Sequence, residues 1–424
     1  MPLDILAVGD LHLGRSPIGL PHGYEPGNFS PRAAWSATVE HAIQRRVDAV
    51  VLLGDVVDHD RDFIEAYSAL KQGAERLVKA GIAVIAVVGN HDVFVLPRLA
   101  KEIRGLQLIG AGGAWEEIQF ERAGRGAVRF VGWSFPSATV RQDPLDSLTL
   151  RPRAGVATVG LVHGELGVAS SHHAPLSRER LVATGFDAWL LGHIHRPSLG
   201  ESQDRVGYLG SLVGLDPGEP GVHGPWLVRV NGPGAVTCEQ LPLAPIRWES
   251  VELALTPDMD ADAAEEALPR TLLAHFAAPG ANWGEAKLVA VRLRVTDSTN
   301  HGVAILARLN QQIGVPISIG SYDCFVETII DRTRPDRDLV ALAKADYAVG
   351  GLAKRMLALE GEGDAGERGR LLREARKAIE PLHTKPCFMQ LVAPEPTDDE
   401  LAEILLQQGR KLLEQLLERK EAGG

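Results

Sequence analysis

With 424 residues, 45% of them apolar and 23% charged, the chain is too rich in core-forming side chains to be disordered and long enough for two or three domains. A formal net charge of −11 argues against coating nucleic acid by bulk attraction, although a local field at one site can oppose the global one. No apolar run approaches the roughly 20 residues of a membrane helix, the amino terminus lacks a basic region, and Cys238, Cys324 and Cys387 lack CxxC spacing, so a cytoplasmic chain with no membrane partner and unpaired, buried cysteines is expected.

In chain order, the apolar run Ile5–Val8 reads as a strand that feeds Gly9-Asp10-Leu11-His12. A glycine- and proline-rich stretch from Gly14 to Ser30 reads as a loop, open to substrate contact or to a plain surface role. Pro31 to Val47 then reads as a helix with Ser30 as its N-cap. Ala49–Leu53 feeds Gly54-Asp55-Val56-Val57-Asp58, and a helix from Phe63 to Ala80 is stopped by Gly81. Ala83–Val88 feeds Gly89-Asn90-His91-Asp92, and Val156–Val162 feeds His163-Gly164. Phe186–Leu191 feeds Gly192-His193-Ile194-His195; if the backbone stays extended there, His193 and His195 point to the same side. Continuous apolar runs of this kind indicate strands covered on both faces, and their alternation with helices indicates an α/β domain over residues 1–245.

Beyond a Gly/Pro-rich passage, Gly214–Pro225, and the strand Trp226–Val230, the pattern changes. Residues 246–335 read as a small α+β domain: strand Trp248–Leu255, helix Asp260–Phe276, strand Lys287–Val295, helix Gly302–Ile313 and strand Tyr322–Ile330. Residues 336–424 read as helical: Asp336–Leu359 and Gly369–Ile379 flank the acidic linker Glu360-Gly361-Glu362-Gly363-Asp364. A last helix opens on a Thr397/Glu400 capping box. Its stripe of Leu401, Ile404, Leu405, Leu412, Leu413 and Leu416 packs either on its own domain or on a partner helix.

A single Asp or His after a strand is more often a cap than a ligand. Here five strand ends deliver Asp, His and Asn to one rim, each beside a glycine that lets the backbone turn tightly. Asp10, His12, Asp55, Asn90, His163, His193 and His195 exceed what one ion needs, and two ions sharing a bridging carboxylate would use them well. A carboxylate, imidazole and amide set without thiolate suits Mn²⁺, Fe or Zn, and a two-ion centre suits phosphoryl displacement. His91 points away from Asn90's ion, suited to protonate a leaving oxygen. Asp58 is then a candidate to hold that imidazole, or else a turn cap. Asp92 reads as a backbone cap, and His172 and His173 as exposed loop residues.

The ordered motifs over the first 200 or so residues resemble the calcineurin-like metallophosphoesterase superfamily. The resemblance implies a β-sandwich flanked by helices and a dinuclear Mn centre. It implies that Asp10, His12, Asp55 and His195 hold one ion, that Asp55, Asn90, His163 and His193 hold the other, and that His91 is the general acid. Within the superfamily, His12-Leu13-Gly14, Tyr208-Leu209-Gly210-Ser211 and the long downstream region are similar to the SbcD/Mre11 DNA repair exonucleases, in particular their YhaO-like bacterial branch. That likeness implies a DNA substrate, a capping domain and a C-terminal region that docks on a coiled-coil ATPase of the SbcC/Rad50 type. Those nucleases commonly have His where this chain has Asp58, followed here by His59. The departure bears on substrate preference and on whether Asp58 or His59 supports His91.

Three functions compete: a Mn²⁺-dependent DNA exonuclease and endonuclease, a phosphatase or phosphodiesterase acting on small molecules or phosphoproteins, and a scaffold for DNA ends or an ATPase. The complete ligand set speaks against the scaffold, and the long downstream region against a minimal phosphodiesterase. Whether the chain forms a homodimer is open.

Overall fold

The computed structural model describes residues 2–59, 63–200, 205–278, 282–298, 301–320, 322–334, 339–345, 347–361, 366–384 and 396–422. Its elements are β1 (Leu3–Val8), α1 (Pro31–Arg45), β2 (Ala49–Leu53), α2 (Phe63–Lys79), β3 (Ala83–Val87), α3 (Leu96–Glu102), β4 (Leu106–Leu108), β5 (Glu116–Arg122), β6 (Gly126–Trp133), β7 (Ala157–His163), β8 (Glu165–Leu166), β9 (Pro175–Leu176), α4 (Arg178–Ala183), β10 (Ala188–Gly192), β11 (Val206–Tyr208), β12 (Trp226–Val230) and β13 (Val236–Gln240). There follow β14 (Ile246–Ala254), α5 (Ala261–Phe276), β15 (Leu288–Ser298), α6 (Gly302–Asn310), β16 (Ile317–Ile319), β17 (Tyr322–Arg334), α7 (Leu339–Leu342), α8 (Ala348–Glu360), α9 (Glu367–Thr384) and α10 (Asp398–Ala422).

Two sheets carry the first part of the chain. One has the order β13-β12-β1-β2-β3-β4, with β1 to β4 parallel; the other has the order β11-β10-β7-β6-β5, with all but β5 parallel. Successive side chains on a strand face opposite ways, so each apolar run feeds two cores. Leu6, Val8, Val50, Leu52, Val84 and Ala86 pack with Trp35 and Val39 of α1 and Leu70 and Leu77 of α2. Their alternating neighbours Ile5, Ala7, Ala49, Val51, Ile85 and Val87 pack with Phe130, Val159, Leu161 and Leu190 of the second sheet. The outer face of that sheet, with Val131, Val162, Trp189 and Leu191, is covered in part by Leu181 of α4. The result is the helix-flanked sandwich of two sheets that the resemblance implies. Helix α1 begins as its sequence indicates, with Pro31 in its first turn and Ser30 Oγ accepting from the Ala33 N–H at 3.4 Å.

Close contacts divide the chain into two units: residues 1–250, 276–292 and 314–327, and residues 251–275, 293–313 and 328–424. Strands β14, β15, β17 and β16 form one sheet in the order β14-β15-β17-β16, where β16 is a strand not foreseen above. In the second unit, Leu268 and Leu272 of α5 and Ile305 and Leu309 of α6 are buried. The single helix expected over Asp336–Leu359 is interrupted: α7 closes through the Ala345 N–H to the Leu342 carbonyl, and α8 opens on an extended Tyr347. The Gly350-Gly351 pair lies inside α8 rather than at the break; a Cβ on Gly350 would fall 1.9 Å from the Ala345 carbonyl oxygen, so this glycine lets the chain leaving α7 pack closely on α8. Helix α10 starts on a reciprocal capping box, with Thr397 N to Glu400 Oε2 at 2.7 Å and Glu400 N to Thr397 Oγ1 at 3.2 Å. Its Leu401, Leu406 and Leu413 are buried with Met356 of α8 and Leu372 of α9, whereas Ile404 and Leu412 are exposed. Most of the apolar stripe therefore serves its own core.

Cys238 is half-buried and Cys324 buried, both unpaired, and burial pushes their thiols up to about 11 and about 12. Cys387, the linker residues 362–364 and residues 336–338 lie outside the described residues. Among the described residues no helix is long and apolar enough to cross a membrane.

Candidate metal centre

The carboxyl ends of β1, β2 and β3 in one sheet and of β7 and β10 in the other hold the polar clusters. Pairing continues past the strands, with His12 N donating to the Asp55 carbonyl at 2.8 Å and Leu13 N to the Val56 carbonyl at 2.9 Å. Asp10, His12, Asp55 and His193 have φ values of 21°, 46°, 46° and 112°, left-handed backbone that costs roughly 1–3 kcal/mol per residue and persists where surrounding contacts impose it. The turning is thus done largely by the polar residues themselves. Gly89 serves another purpose, since a Cβ there would fall 2.2 Å from Asp55 Oδ1.

Two groups of ligand atoms face the two expected ion positions, Asp10, His12 and His195 in one and Asp55, His163 and His193 in the other; a third group, His12, Asp58 and His91, shares His12, and within each group the atoms lie within 4.8 Å of one another. His193 and His195 do not face the same side, as an extended backbone would require. The positive φ at His193 turns the chain, and one imidazole enters each group. Asn90 Oδ1 lies 3.0 Å from His163 Nε2 and joins the second group. Asp10 ties the two sheets together by accepting the His193 N–H at 2.9 and 3.2 Å.

Three imidazoles are held from behind through Nδ1. His12 Nδ1 lies 2.9 Å from Asp58 Oδ1, His195 Nδ1 lies 2.5 Å from Glu219 Oε1, and His163 Nδ1 lies 2.9 Å from the Leu53 carbonyl. Each of these oxygens accepts, so each Nδ1 carries hydrogen and each Nε2 turns a lone pair inward. Inward-facing atoms then meet only other acceptors: His12 Nε2 is 3.0 Å from His195 Nε2, and His163 Nε2 is 3.3 Å from Asp55 Oδ2. Such an arrangement is repulsive unless cations lie among the atoms. The donor set therefore fits divalent ions, and in their place only protons could relieve it.

The electrostatics agree. Burial pushes the Asp10 carboxyl up against the pull of His163 and His195. It also opposes the charge on Asp55, but His163, His12 and His91 prevail and hold that carboxyl well below the usual range. His163 is raised to about 9 because Asp55 and Asp10 outweigh its burial. His193 is pushed down to about 3 by burial and by the neighbouring His163 and His173.

His91 is exposed and sits on a bend rather than an extended strand end. Its backbone N–H donates to Asp55 Oδ1 at 3.0 Å, and its Nδ1 donates to the carbonyl of Asp58, also at 3.0 Å. The Asp58 carboxylate, proposed above for that task, instead serves His12 and lies 3.4 Å from His59 Nε2. Asp92 is buried and accepts from Gly89 N at 2.8 Å and Val56 N at 2.7 Å, with burial and Asp55 raising it to about 7. His172 is exposed, but His173 is half-buried with its ring 5.0 Å from that of His193.

Glu219 escaped the sequence reading. It lies in the Gly/Pro-rich passage between Gly214 and Pro225, where a carboxylate and a histidine, Glu219 and His223, were the available signal. Burial opposes its charge, but the bond to His195 brings it down to about 2.

Residues 3–197 match the calcineurin-like phosphoesterase family. The chain is 28% identical to the uncharacterized metallophosphoesterase YhaO of Bacillus subtilis over 60% of its own length and 64% of the relative's. It is 30% identical to the DNA double-strand break repair protein Mre11 of Haloferax volcanii over 60% of its own length and 55% of that protein's. The matched part thus spans less than two thirds of these relatives. Among solved structures, a dimetal phosphatase from Danio rerio aligns with 57% of the chain and 99% of its own (TM-score 0.35, 14% identity). A 5′-nucleotidase described as putative, from Staphylococcus aureus, aligns with 64% of the chain and 58% of its own (TM-score 0.37, 16% identity). The clusters at the strand ends thus lie within residues 3–197, the part of the chain that matches the calcineurin-like phosphoesterase family, whose members are metal-dependent hydrolases with a dinuclear centre.

Proposed function

We propose that the chain is a Mn²⁺-dependent nuclease that hydrolyses phosphodiester bonds in DNA, as a 3′ to 5′ exonuclease with some endonuclease activity. The observation that carries this reading is the convergence of the His12, His163 and His195 Nε2 atoms on Asp10 and Asp55. Asp10, His12, Asp55 and His195 would hold the first ion and Asp55, Asn90, His163 and His193 the second. Two divalent ions, when bound, supply the charge that stabilises phosphoryl oxygens and lowers the pKa of the attacking water. The Asp58 carbonyl keeps the His91 Nδ1–H occupied, so the protonated ring delivers its proton from Nε2 to the leaving oxygen.

The DNA substrate is supported by the likeness to proteins described as double-strand break repair Mre11 from Haloferax volcanii and Aeropyrum pernix. We assign residues 1–245 to catalysis, 246–335 to capping and 336–424 to docking on a coiled-coil ATPase of the SbcC/Rad50 type. Ile404 and Leu412, exposed on α10, are the apolar residues of its stripe left for such a partner. A phosphatase or small-molecule phosphodiesterase is the second reading, favoured by Asp58 where the DNA nucleases commonly have His.

Metal-free protein given back Mn²⁺ and offered labelled single-stranded, blunt and hairpin DNA beside a chromogenic phosphodiester separates the two. Cleavage of DNA is expected. Activity on the small ester but on no DNA supports the second reading.

A further inference from the structure

We infer that the two ion positions are unequal, and that Glu219, acting through His195, makes the first one the tighter. The inference rests on the ligand reading above and adds a positioning residue outside the ligand set.

The imidazoles of the two positions are backed differently. His12 and His195 give their Nδ1–H to carboxylates, Asp58 at 2.9 Å and Glu219 at 2.5 Å. His163 gives its own to the neutral Leu53 carbonyl at 2.9 Å, and the rings near His193 are the imidazoles of His163 and His173, at 5.3 and 5.0 Å. A carbonyl fixes the tautomer. A carboxylate fixes it and also raises the electron density at the opposite nitrogen, which strengthens the bond to a cation.

Glu219 is built into place. Its Oε2 accepts from Leu215 N at 3.0 Å and Ser211 Oγ at 3.2 Å, while its carbonyl accepts from His223 Nε2 at 3.1 Å. His223 is buried, and its Nδ1 lies 3.0 Å from Ser211 Oγ. Trp248 clamps the loop from outside, with its Nε1 donating to the Gly214 carbonyl at 2.9 Å and its own carbonyl accepting from Gly221 N at 2.8 Å. The plainer view makes Glu219 only a loop-building residue, and Oε2 does build the loop. That leaves Oε1 unexplained. Both oxygens face N–H or O–H donors, so a glutamine would turn its NH₂ against one of them, whereas a carboxylate accepts on both sides.

The test is calorimetric titration of the metal-free full chain with Mn²⁺, which reads affinity rather than turnover. The wild type should bind two ions with unequal constants. Glu219→Gln should lower the tighter constant about 10–100-fold and leave the weaker nearly unchanged. Ser211→Ala removes one support of Glu219 and should shift the same constant in the same direction by a smaller amount. It carries the test if circular dichroism shows Glu219→Gln to be unfolded. A wild type that binds fewer than two ions overturns the ligand reading itself. Two ions with equal constants, or folded variants that leave the tighter constant unchanged or weaken both equally, overturn the role of Glu219 and leave the ligand reading standing.

Discussion

Asp58 holds His12 and His91 with two different oxygens: Oδ1 lies 2.9 Å from His12 Nδ1, and the carbonyl accepts from His91 Nδ1 at 3.0 Å. The side chain thus serves a ligand and the backbone serves the exposed imidazole. Asp58→Asn should weaken Mn²⁺ binding about 10–100-fold while leaving His91 in position. Metal titration beside a rate measurement at saturating Mn²⁺ checks this, since the rate should then recover. A rate that stays low with both ions bound would tie the carboxylate to His91 after all.

Gly54 has φ of 82°, and a Cβ there would meet Gly89 N at 2.7 Å and His163 Nδ1 at 2.8 Å. Gly54→Ala combines left-handed strain with backbone overlap, so it should destabilise the protein by more than about 1–3 kcal/mol. Urea denaturation of the metal-free protein reads this without interference from ion binding.

Leu413 is fully buried among α8, α9 and α10, whereas Leu412 beside it is 47% exposed. Leu413→Ala should cost about 2–5 kcal/mol and Leu412→Ala within about 0.5 kcal/mol. Denaturation followed by far-UV dichroism compares them. For the same reason, removing residues from Thr397 onward should expose the core beneath α10 and make the shortened protein aggregate. A soluble, folded truncation would return the buried stripe to a partner-binding role.

Tyr24, in the loop after the first cluster, donates its hydroxyl to Asp323 Oδ2 at 2.7 Å, and burial together with that carboxylate pushes its pKa up to about 12. The folded value lies above the ordinary tyrosine value of about 10. The contribution to stability is therefore complete below pH 10 and is lost as the pH rises through 12. In a titration of tyrosinate absorbance, the difference between wild type and Tyr24→Phe should be a single step near pH 12. A step near pH 10 would mean that Asp323 does not hold the hydroxyl.

His91 belongs to neither the Asp10 group nor the Asp55 group, although it neighbours His12 and Asp58 in a third, so its loss should spare both ion positions. His91→Ala should keep two ions bound and slow DNA cleavage by roughly 10²–10⁴-fold. The loss should shrink for an ester with a p-nitrophenolate leaving group, which needs no proton. Equal losses on both substrates would assign His91 to stabilising charge on the phosphoryl oxygens.

Much of the sandwich is legible in the sequence because β1, β2 and β3 must satisfy two cores at once, which forces runs such as Ala49–Leu53 to be apolar at every position. The two ligand groups are legible because each member follows such a run within a few residues. Glu219 is not, since it stands 24 positions from His195 in a Gly/Pro-rich passage with no periodic pattern. Nor is the Leu53 carbonyl that holds His163, because a main-chain acceptor leaves no trace in side-chain identity. The division of labour within Asp58 was missed because sequence distance from Asp55 does not say which of its oxygens turns where. The break between α7 and α8 is not legible either, because the residues around it are mostly apolar and the Gly350-Gly351 pair falls inside α8.

The account turns on Asp55 as the carboxylate common to both ions. Calorimetric titration of Asp55→Asn with Mn²⁺ tests this most directly, with dichroism to establish that the variant is folded. The account predicts that both ions are lost from the measurable range and that hydrolysis falls to background. A folded variant that still takes up two Mn²⁺ ions per chain would contradict it.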